Sequence, residues 1–281
     1  MKKILITGAN SYIGNSVQTY LLKMPEKYSV DIIDTIGLNP TPNRFESYDV
    51  VFNVAGIAHL KETKQNRQLY YDVNRDLVVK IAKASKEAGV KQFILLSTMS
   101  VYGKLTGYIT KDTPVNPQNN YGNSKAQADR IIAAFEDETF RFTCLRPPMV
   151  YGRGCKGNYQ TLRSFAMKSP IFPNYSNQRS MIYIGNLCEF VKSCIEEEKS
   201  GLFFPQNAEY TNTSRMVKQI AQENGKEIKL VRTPNWTLKT LPLKVTQKVF
   251  GNLIYERVDT VSKYGLAESI KITEATSMSG V

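Results

Sequence analysis

At 281 residues the chain is long enough to bury a sizeable core, and its length suits one α/β domain with an appended lobe. Apolar residues make up 42% and charged residues 22%, the balance of a soluble globular protein, and no apolar run approaches the ~20 residues that span a bilayer. The formal net charge of +12 raises the question of an acidic partner, but no basic run is interleaved with aromatic residues, so no nucleic-acid partner is expected. His59 is the single histidine, which leaves Ser-His-Asp catalysis and His-rich metal sites almost no material. The four cysteines, Cys144, Cys155, Cys188 and Cys194, show neither metal-ligand spacing nor a bridging pattern. They read as reduced thiols of a cytoplasmic protein, and no metal is expected.

In chain order, Lys2-Lys3-Ile4-Leu5-Ile6 reads as a short buried strand. Its charged start mimics a signal peptide, but Gly8 and Asn10 interrupt the apolar part too early. The turn Thr7-Gly8-Ala9-Asn10-Ser11-Tyr12-Ile13-Gly14 follows, then an amphipathic helix (Val17, Tyr20, Leu21, Leu22) ending before Pro25. Strand, glycine turn and helix are the context of a dinucleotide-binding fingerprint. The turn needs a residue without a side chain, and the helix amino end offers N–H groups and a positive dipole to a pyrophosphate. Gly8, Asn10, Ser11, Tyr12, Ile13 and Gly14 are the candidates at this turn. The next strand, Val30 to Asp34, ends on an acid. Asp34 can accept hydrogen bonds from a ribose diol and repel a 2′-phosphate, favouring NAD with NADP as the alternative cofactor; its other reading is a turn acid closing the strand.

After Asp34 the prolines of Leu38-Asn39-Pro40-Thr41-Pro42-Asn43 leave too little chain for a full helix and strand. Tyr48 to Gly56 reads as a buried strand ending in small residues, Tyr70 to Ala88 as a helix closed by Gly89, and Lys91 to Thr98 as another strand. A loop of turn residues leads to the helix of Tyr121-Gly122-Asn123-Ser124-Lys125, and Phe140 to Arg146 is a strand stopped by Pro147-Pro148. Tyr121 and Lys125 stand four apart and so share a helix face. A free phenol, with a pKa of about 10, is a poor base at neutral pH, but a fixed cation beside it favours the phenolate. Tyr121 is therefore a candidate proton shuttle for a hydroxyl or carbonyl group. The plainer reading is a tyrosine packed on an amphipathic helix with its lysine in solvent.

Taken together, these residues resemble the extended short-chain dehydrogenase/reductases of the nucleotide-sugar epimerase/dehydratase family, from Met1 to roughly Asp259. The family's Thr-Gly-x-x-Gly-x-x-Gly is matched at Thr7, Gly8 and Gly14, with Ser11 in place of the middle glycine. Asn53-Val54-Ala55-Gly56 resembles the segment behind the nicotinamide-side ribose, and Asn74 the asparagine that supports the active-site helix. Ser97-Thr98-Met99-Ser100-Val101-Tyr102-Gly103 resembles the strand end that carries the catalytic hydroxyl, placed at Thr98. The resemblance implies a Rossmann-type doubly wound parallel sheet with a smaller mixed α/β carboxyl-terminal substrate lobe. It further implies a catalytic set of Thr98, Tyr121 and Lys125, in which Thr98 holds the substrate oxygen and Tyr121 exchanges its proton. Lys125 holds the cofactor ribose and lowers the Tyr121 pKa, and the backbone after Arg146-Pro147 orients the carboxamide ring. Val54, Ala55, Gly56, Asn74 and Pro147 complete the expected cofactor contacts. His59 is expected to be structural, behind the cofactor.

Dehydratases of the family place Asp-Glu after the catalytic threonine; Met99 and Ser100 stand there and can serve neither as acid nor as base. A 4-epimerase and a 4-ketoreductase remain. Arg146 to Tyr159 and Asn177-Gln178-Arg179-Ser180 resemble a subgroup of bacterial surface-polysaccharide pathways. That favours reduction of a UDP-4-keto-6-deoxy-N-acetylhexosamine, with UDP-sugar 4-epimerisation as the alternative. A non-catalytic dinucleotide sensor is a further reading, opposed by the intact Thr98, Tyr121 and Lys125. Thr98, Ser100 and Tyr121 are then expected at the substrate, with Asn158 and Arg179 on its UDP part, and the basic charge suits such an anion. The expected domains are 1–152, with returning segments near 179–207, for the dinucleotide, and 153–178 with 208–270 for the substrate, followed by a flexible tail at 271–281. The usual Leu-Gly-Trp segment is missing, with Lys263-Tyr264-Gly265-Leu266 in its place. Trp236, Leu238, Leu241 and Leu243 alternate with Lys239, Lys244 and Lys248, either as a basic face for a membrane surface or as packing on the lobe. A homodimer through the helices around Tyr70 and Tyr121 is the family habit.

Overall fold

The apolar runs of the sequence assemble into one parallel sheet. In the computed structural model, which describes residues 1–58, 60–232 and 243–275, its strands lie in the order Tyr28–Ile33, Lys2–Thr7, Val50–Asn53, Gln92–Leu96, Arg141–Leu145, Gly201–Phe203. Every neighbouring pair is parallel. Such strands are covered on both faces and therefore read as continuous apolar runs rather than alternating ones. Ile4, Ile6, Phe93, Ile94 and Leu95 are accordingly wholly buried. The doubly wound parallel sheet expected from the sequence is present.

Lys2–Thr7 pairs with Tyr28–Ile33 on one side and with Val50–Asn53 on the other. The chain thus leaves this strand first in one direction across the sheet and then in the other, which opens a crevice beyond the strand's carboxyl end. The proline-punctuated segment forms only a short 3-10 turn at Pro42–Arg44, so Tyr28–Ile33 stays at the sheet edge. Phe45, just after that turn, is wholly buried and joins the core with Val51, Val78, Ile81, Phe93, Ala128 and Ile132.

The helix predicted over Tyr70 to Ala88 is Arg67–Tyr71 and Val78–Glu87, joined by a π-helical stretch at Asp72–Leu77. Gly89 closes it at a φ of +80°, a conformation glycine adopts without strain. The inserted π turn widens the helix at Asn74, and such bulges recur at functional sites.

The chain divides into two compact units. The first holds Met1–Gly103, Pro114–Pro147 and Cys188–Phe204 and contains the whole sheet. The second holds Lys104–Thr113, Pro148–Leu187 and Pro205–Val281. Residues 104–113, 148–152, 179–187 and 205–207 group with the second unit instead of with the dinucleotide domain to which the sequence assigns them. Short parallel pairs such as Gly107–Ile109 with Leu253–Tyr255 and Met149–Tyr151 with Met181–Tyr183 hold them there. Within the second unit, Asn158–Lys168 and Leu266–Glu274 both pack on Thr213–Glu223. The helix Leu266–Glu274 takes in residues 271–274, which the sequence leaves to a flexible tail. Buried Glu274 is the reason: it accepts from Tyr159 Oη (2.7 Å), Arg163 Nε (2.8 Å) and Asn224 Nδ2 (2.8 Å).

His59, Trp236, Leu238, Lys239, Leu241 and the stretch from Ser277 to Val281 lie outside the described residues. The helix Leu243–Phe250 ends the basic stretch, with Lys248 exposed and Phe250 packed against Phe172 and Tyr175. Among the described residues no helix is long and apolar enough to cross a membrane, and no cluster of His, Cys, Asp or Glu could hold a metal ion. All four cysteines are free and buried.

Candidate active site

The glycine turn sits at the crevice where the sheet order reverses. Gly8 has a φ of +108°, and a Cβ there would lie 2.9 Å from the backbone nitrogen of Ala55 and 3.0 Å from its Cα. No side chain fits without moving the neighbouring strand end. At Gly14 a Cβ would meet Val54 Cγ2 at 2.9 Å and Ile6 Cγ2 at 3.2 Å, so glycine lets the helix Tyr12–Leu21 lie close on the sheet. Asn10 takes the left-handed conformation at φ +65°, which asparagine tolerates better than most residues. Ser11, in the place of the family's middle glycine, is the helix N-cap: its Oγ accepts from Gly14 N at 3.3 Å. Thr7 Oγ1 donates to Asn53 Oδ1 (2.7 Å), tying the two strand ends together. A turn with no room for a Cβ, beside the amino end of a helix, fits a dinucleotide pyrophosphate. Asp34 is exposed, and its Oδ1 accepts from Ile36 N (3.0 Å), so one carboxylate oxygen closes the turn after the strand.

Around the Tyr121 helix, Asn120–Ala133, three separate segments converge. Asn119 caps it through Gly122 N (2.8 Å). Gly122 is required by packing, because a Cβ there would lie 2.7 Å from the carbonyl oxygen of Ser100. The first turn is also held by Glu62, which the sequence pattern does not single out. Its Oε2 accepts from Asn120 N (3.1 Å) and Asn120 Nδ2 (2.9 Å), and its Oε1 from Tyr121 N (3.1 Å). Asn74, in the π turn, is wholly buried; it accepts from Ile57 N (2.7 Å) and donates to Ile57 O (3.1 Å) and Ser124 Oγ (3.2 Å). It thereby joins the segment after Gly56 to the Tyr121 helix. A Cβ on Gly56 would stand 3.0 Å from both Asn74 Oδ1 and Lys125 Nζ, which puts these three residues in one place.

Lys125 is buried, and its ammonium donates to Leu96 O (3.0 Å). Thr98 caps the 3-10 turn Met99–Tyr102, with Oγ1 accepting from Ser100 N (3.1 Å). The same hydroxyl is near enough to the Tyr121 phenol to favour its ionised form. Thr98 therefore caps a turn and stands near the tyrosine. Met99 N donates to Pro147 O (3.1 Å), so the Thr98 segment also touches the end of the strand Arg141–Leu145. Thr98, Tyr121, Lys125, Asn74, Gly56 and Pro147 all belong to the first unit.

The electrostatics depart from one expectation. The Tyr121 pKa is raised, not lowered. Burial of the phenol raises it; the Thr98 contact pulls it back, and the Asp129 carboxylate and Tyr70 raise it further. Lys125 is itself lowered to about 8, by burial first, against the opposing pull of Asp129. Desolvation is the largest effect on both groups.

The two residues expected at the UDP part lie in the second unit. Asn158 is exposed at the first position of the helix Asn158–Lys168. Arg179 is partly buried and donates from Nη1 to Gly251 O (2.9 Å) and Gln247 O (3.4 Å), at the carboxyl end of the helix Leu243–Phe250. Burial lowers its pKa. Arg179 is thus anchored on carbonyl oxygens that need a donor.

A model of the NAD dependent epimerase/dehydratase family matches residues 4–203, well over half of the chain. The chain belongs to this family. Its members are enzymes of the short-chain dehydrogenase/reductase type, and the Thr-Gly turn, Thr98 and the Tyr121–Lys125 pair all fall within the matched segment. Among relatives, UDP-glucose 4-epimerase of Vibrio cholerae is 28% identical over 265 residues, 85% of this chain and 80% of that protein. N-acetyl-alpha-D-glucosaminyl-diphospho-ditrans,octacis-undecaprenol 4-epimerase of Escherichia coli O157:H7 is 26% identical over 82% of this chain and 75% of its own length. The fold matches that of UDP-glucuronic acid 4-epimerase from Bacillus cereus, solved in complex with NAD, with a TM-score of 0.73 over 97% of this chain and 96% of that one at 20% identity.

Proposed function

We propose that this chain is an NAD(P)-dependent enzyme acting on C4 of a UDP-sugar, and that it is a 4-epimerase. The observation that carries the reaction centre is the convergence, within one unit, of the turn capped by Thr98 with the helix that bears Tyr121 and Lys125, where Gly122 lies against the carbonyl oxygen of Ser100. The choice of epimerase is supported by the two relatives named as 4-epimerases, each aligned over at least three quarters of its own length. Met99 and Ser100 after Thr98 argue against dehydration, since neither side chain transfers a proton at neutral pH.

Gly8, Asn10, Ser11, Tyr12, Ile13 and Gly14 would hold the cofactor pyrophosphate, Asp34 the adenosine ribose, and Val54, Ala55, Gly56, Asn74 and Pro147 the nicotinamide side. When bound, the oxidised nicotinamide supplies the hydride acceptor and a positive charge of the sign that favours a phenolate. Thr98 holds the C4 oxygen. Tyr121 takes the proton of that oxygen as C4 is oxidised and returns it as C4 is reduced on its other face. Burial raises the Tyr121 pKa, which opposes the first of these transfers and favours the second. Lys125 holds ribose hydroxyls, and Ser100, Asn158 and Arg179 serve the substrate, with the Arg179 fork on a phosphate. A homodimer through the helices around Tyr70 and Tyr121 belongs to the same reading.

Reduction of a UDP-4-keto-6-deoxy-N-acetylhexosamine is the second reading, favoured by the resemblance of Arg146 to Tyr159 to that subgroup. One experiment separates the two. The protein is incubated with UDP-glucose or UDP-N-acetylglucosamine, and separately with the 4-keto-6-deoxy sugar and NADH or NADPH. Formation of the galacto epimer without added reductant supports the epimerase. Stoichiometric loss of reduced-nicotinamide absorbance with the keto sugar, and no epimer, would replace it by the reductase. Full turnover by Tyr121→Phe in either arm would overturn the proton-transfer role.

A further inference from the structure

One helical turn beyond Lys125, on the same helix face, stands Asp129, and it is 3% exposed. Its Oδ2 accepts from Ser97 Oγ (2.8 Å) and from Arg146 Nε (3.0 Å). Its Oδ1 is buried without a hydrogen-bond partner. Each contact leads to a different part of the reaction centre. Ser97 precedes Thr98, Arg146 precedes Pro147, and Asp129 itself rides on the helix of Tyr121 and Lys125. Arg146 is fixed in turn by Tyr102, whose hydroxyl accepts from Nη1 (2.8 Å) and whose ring lies 5.2 Å from the guanidinium carbon. Arg146 is thus ion-paired with a buried carboxylate that stands one helical turn from buried Lys125.

We propose that Asp129 is a positioning residue of this site: its carboxylate is the counter-ion that keeps buried Lys125 an ammonium, and it fixes the segments bearing Thr98 and Pro147 to the Tyr121 helix. The inference rests on the proposed role of Lys125 as a charged donor. Buried charges persist only when paired, and the other titratable groups around Lys125 supply no anion. On the strand Arg141–Leu145, burial pushes the Cys144 thiol far up, so it stays neutral. Tyr121 on the same helix, and Tyr70 packed near it, both have raised pKa values and are neutral phenols at physiological pH. Arg146 adds a second positive charge, and the carbonyl of Leu96 only a dipole. Burial opposes ionisation of Asp129 as well, but Arg146, the Ser97 hydroxyl and Lys125 all favour it.

The test is the titration of Lys125 by 13Cε NMR in the full chain, assigned by the peak that Lys125→Arg removes. Turnover is not needed, so the outcome stands apart from the identity of the reaction. An opposite charge within about 4–6 Å shifts a neighbour by about 1–3 pH units. Asp129→Asn is expected to lower the Lys125 midpoint by a unit or more from about 8, and Asp129→Glu to restore it. An unmoved midpoint in folded Asp129→Asn overturns the proposal. If Asp129→Asn does not fold, the wild-type Asp129 13Cγ resonance decides. A carboxylate shift at pH 7, with an inflection at the Lys125 midpoint, supports the counter-ion, whereas the shift of a neutral acid refutes it.

Discussion

Replacing Glu62 by alanine tests whether the pose of Tyr121 depends on a residue far from it in sequence. The carboxylate accepts from Asn120 N, Asn120 Nδ2 and Tyr121 N, all in the first turn of the Tyr121 helix. Removing a helix cap costs about 0.5–2 kcal/mol, and a negative charge at a helix amino end contributes about 0.3–1 kcal/mol more. Glu62 is only partly buried, so water can satisfy part of what is lost. Asn119 also keeps its own bond to Gly122 N. The expected destabilisation is therefore about 1–2 kcal/mol, read as a fall of several degrees in Tm by circular dichroism. Turnover should suffer more. Tyr121 is the second residue of the helix, and an error of about 1 Å in a reacting group can cost about 100-fold. The expectation is a kcat lowered about 10- to 100-fold with a smaller change in KM, and faster amide exchange in residues 120–124. Glu62→Gln keeps a neutral acceptor and should recover most of the stability. Wild-type Tm and kcat in Glu62→Ala would refute the reasoning.

Gly8→Ala places a methyl group 2.9 Å from Ala55 N at a positive φ, and should cost about 1–3 kcal/mol and most NAD affinity, measured by denaturation and calorimetric titration. Glu274→Ala strips Tyr159 and Arg163 of their shared buried acceptor; a loss of about 3 kcal/mol in urea unfolding is expected, and an unchanged midpoint would contradict the network. Stability should also depend on pH through Lys125. Its folded pKa of about 8 lies below its unfolded value of about 10.4, so the unfolded chain binds the extra proton between them. Stability relative to Lys125→Met is then expected to rise with pH between about 8 and 10.4, by about 3 kcal/mol in all. It should be flat below pH 7, and a difference that falls over the window would contradict the burial of Lys125.

Where a contact is local, or where chemistry demands a special backbone, the residues themselves disclose it. Gly8 and Gly14 are legible because no other residue fits their space, and the Tyr121–Lys125 spacing because four residues make one helical turn. The sheet was legible because buried parallel strands carry unbroken apolar runs. The π turn at Asp72–Leu77 was not, since widening a helix by one residue leaves the apolar periodicity nearly intact. The sign of the Tyr121 shift was also missed, because spacing sets which charges are near and burial sets what they are worth.

Glu62 and Asp129 mark the boundary between these cases. Asp129 had a signal available, since it stands one turn beyond Lys125 and is an acid on a face that must be buried if Lys125 is. Its partners Ser97 and Arg146 come from strand ends brought side by side only by the order of the sheet. Glu62 had none. It lies in the loop after the strand Val50–Asn53 and reaches a helix end 58 residues away in the chain. Sequence pattern thus identifies the candidate groups for the chemistry, whereas the groups that hold them are fixed by contacts between segments far apart in the chain. A loss of function at Glu62 or Asp129 with the fold retained would place part of the catalytic precision in that second class.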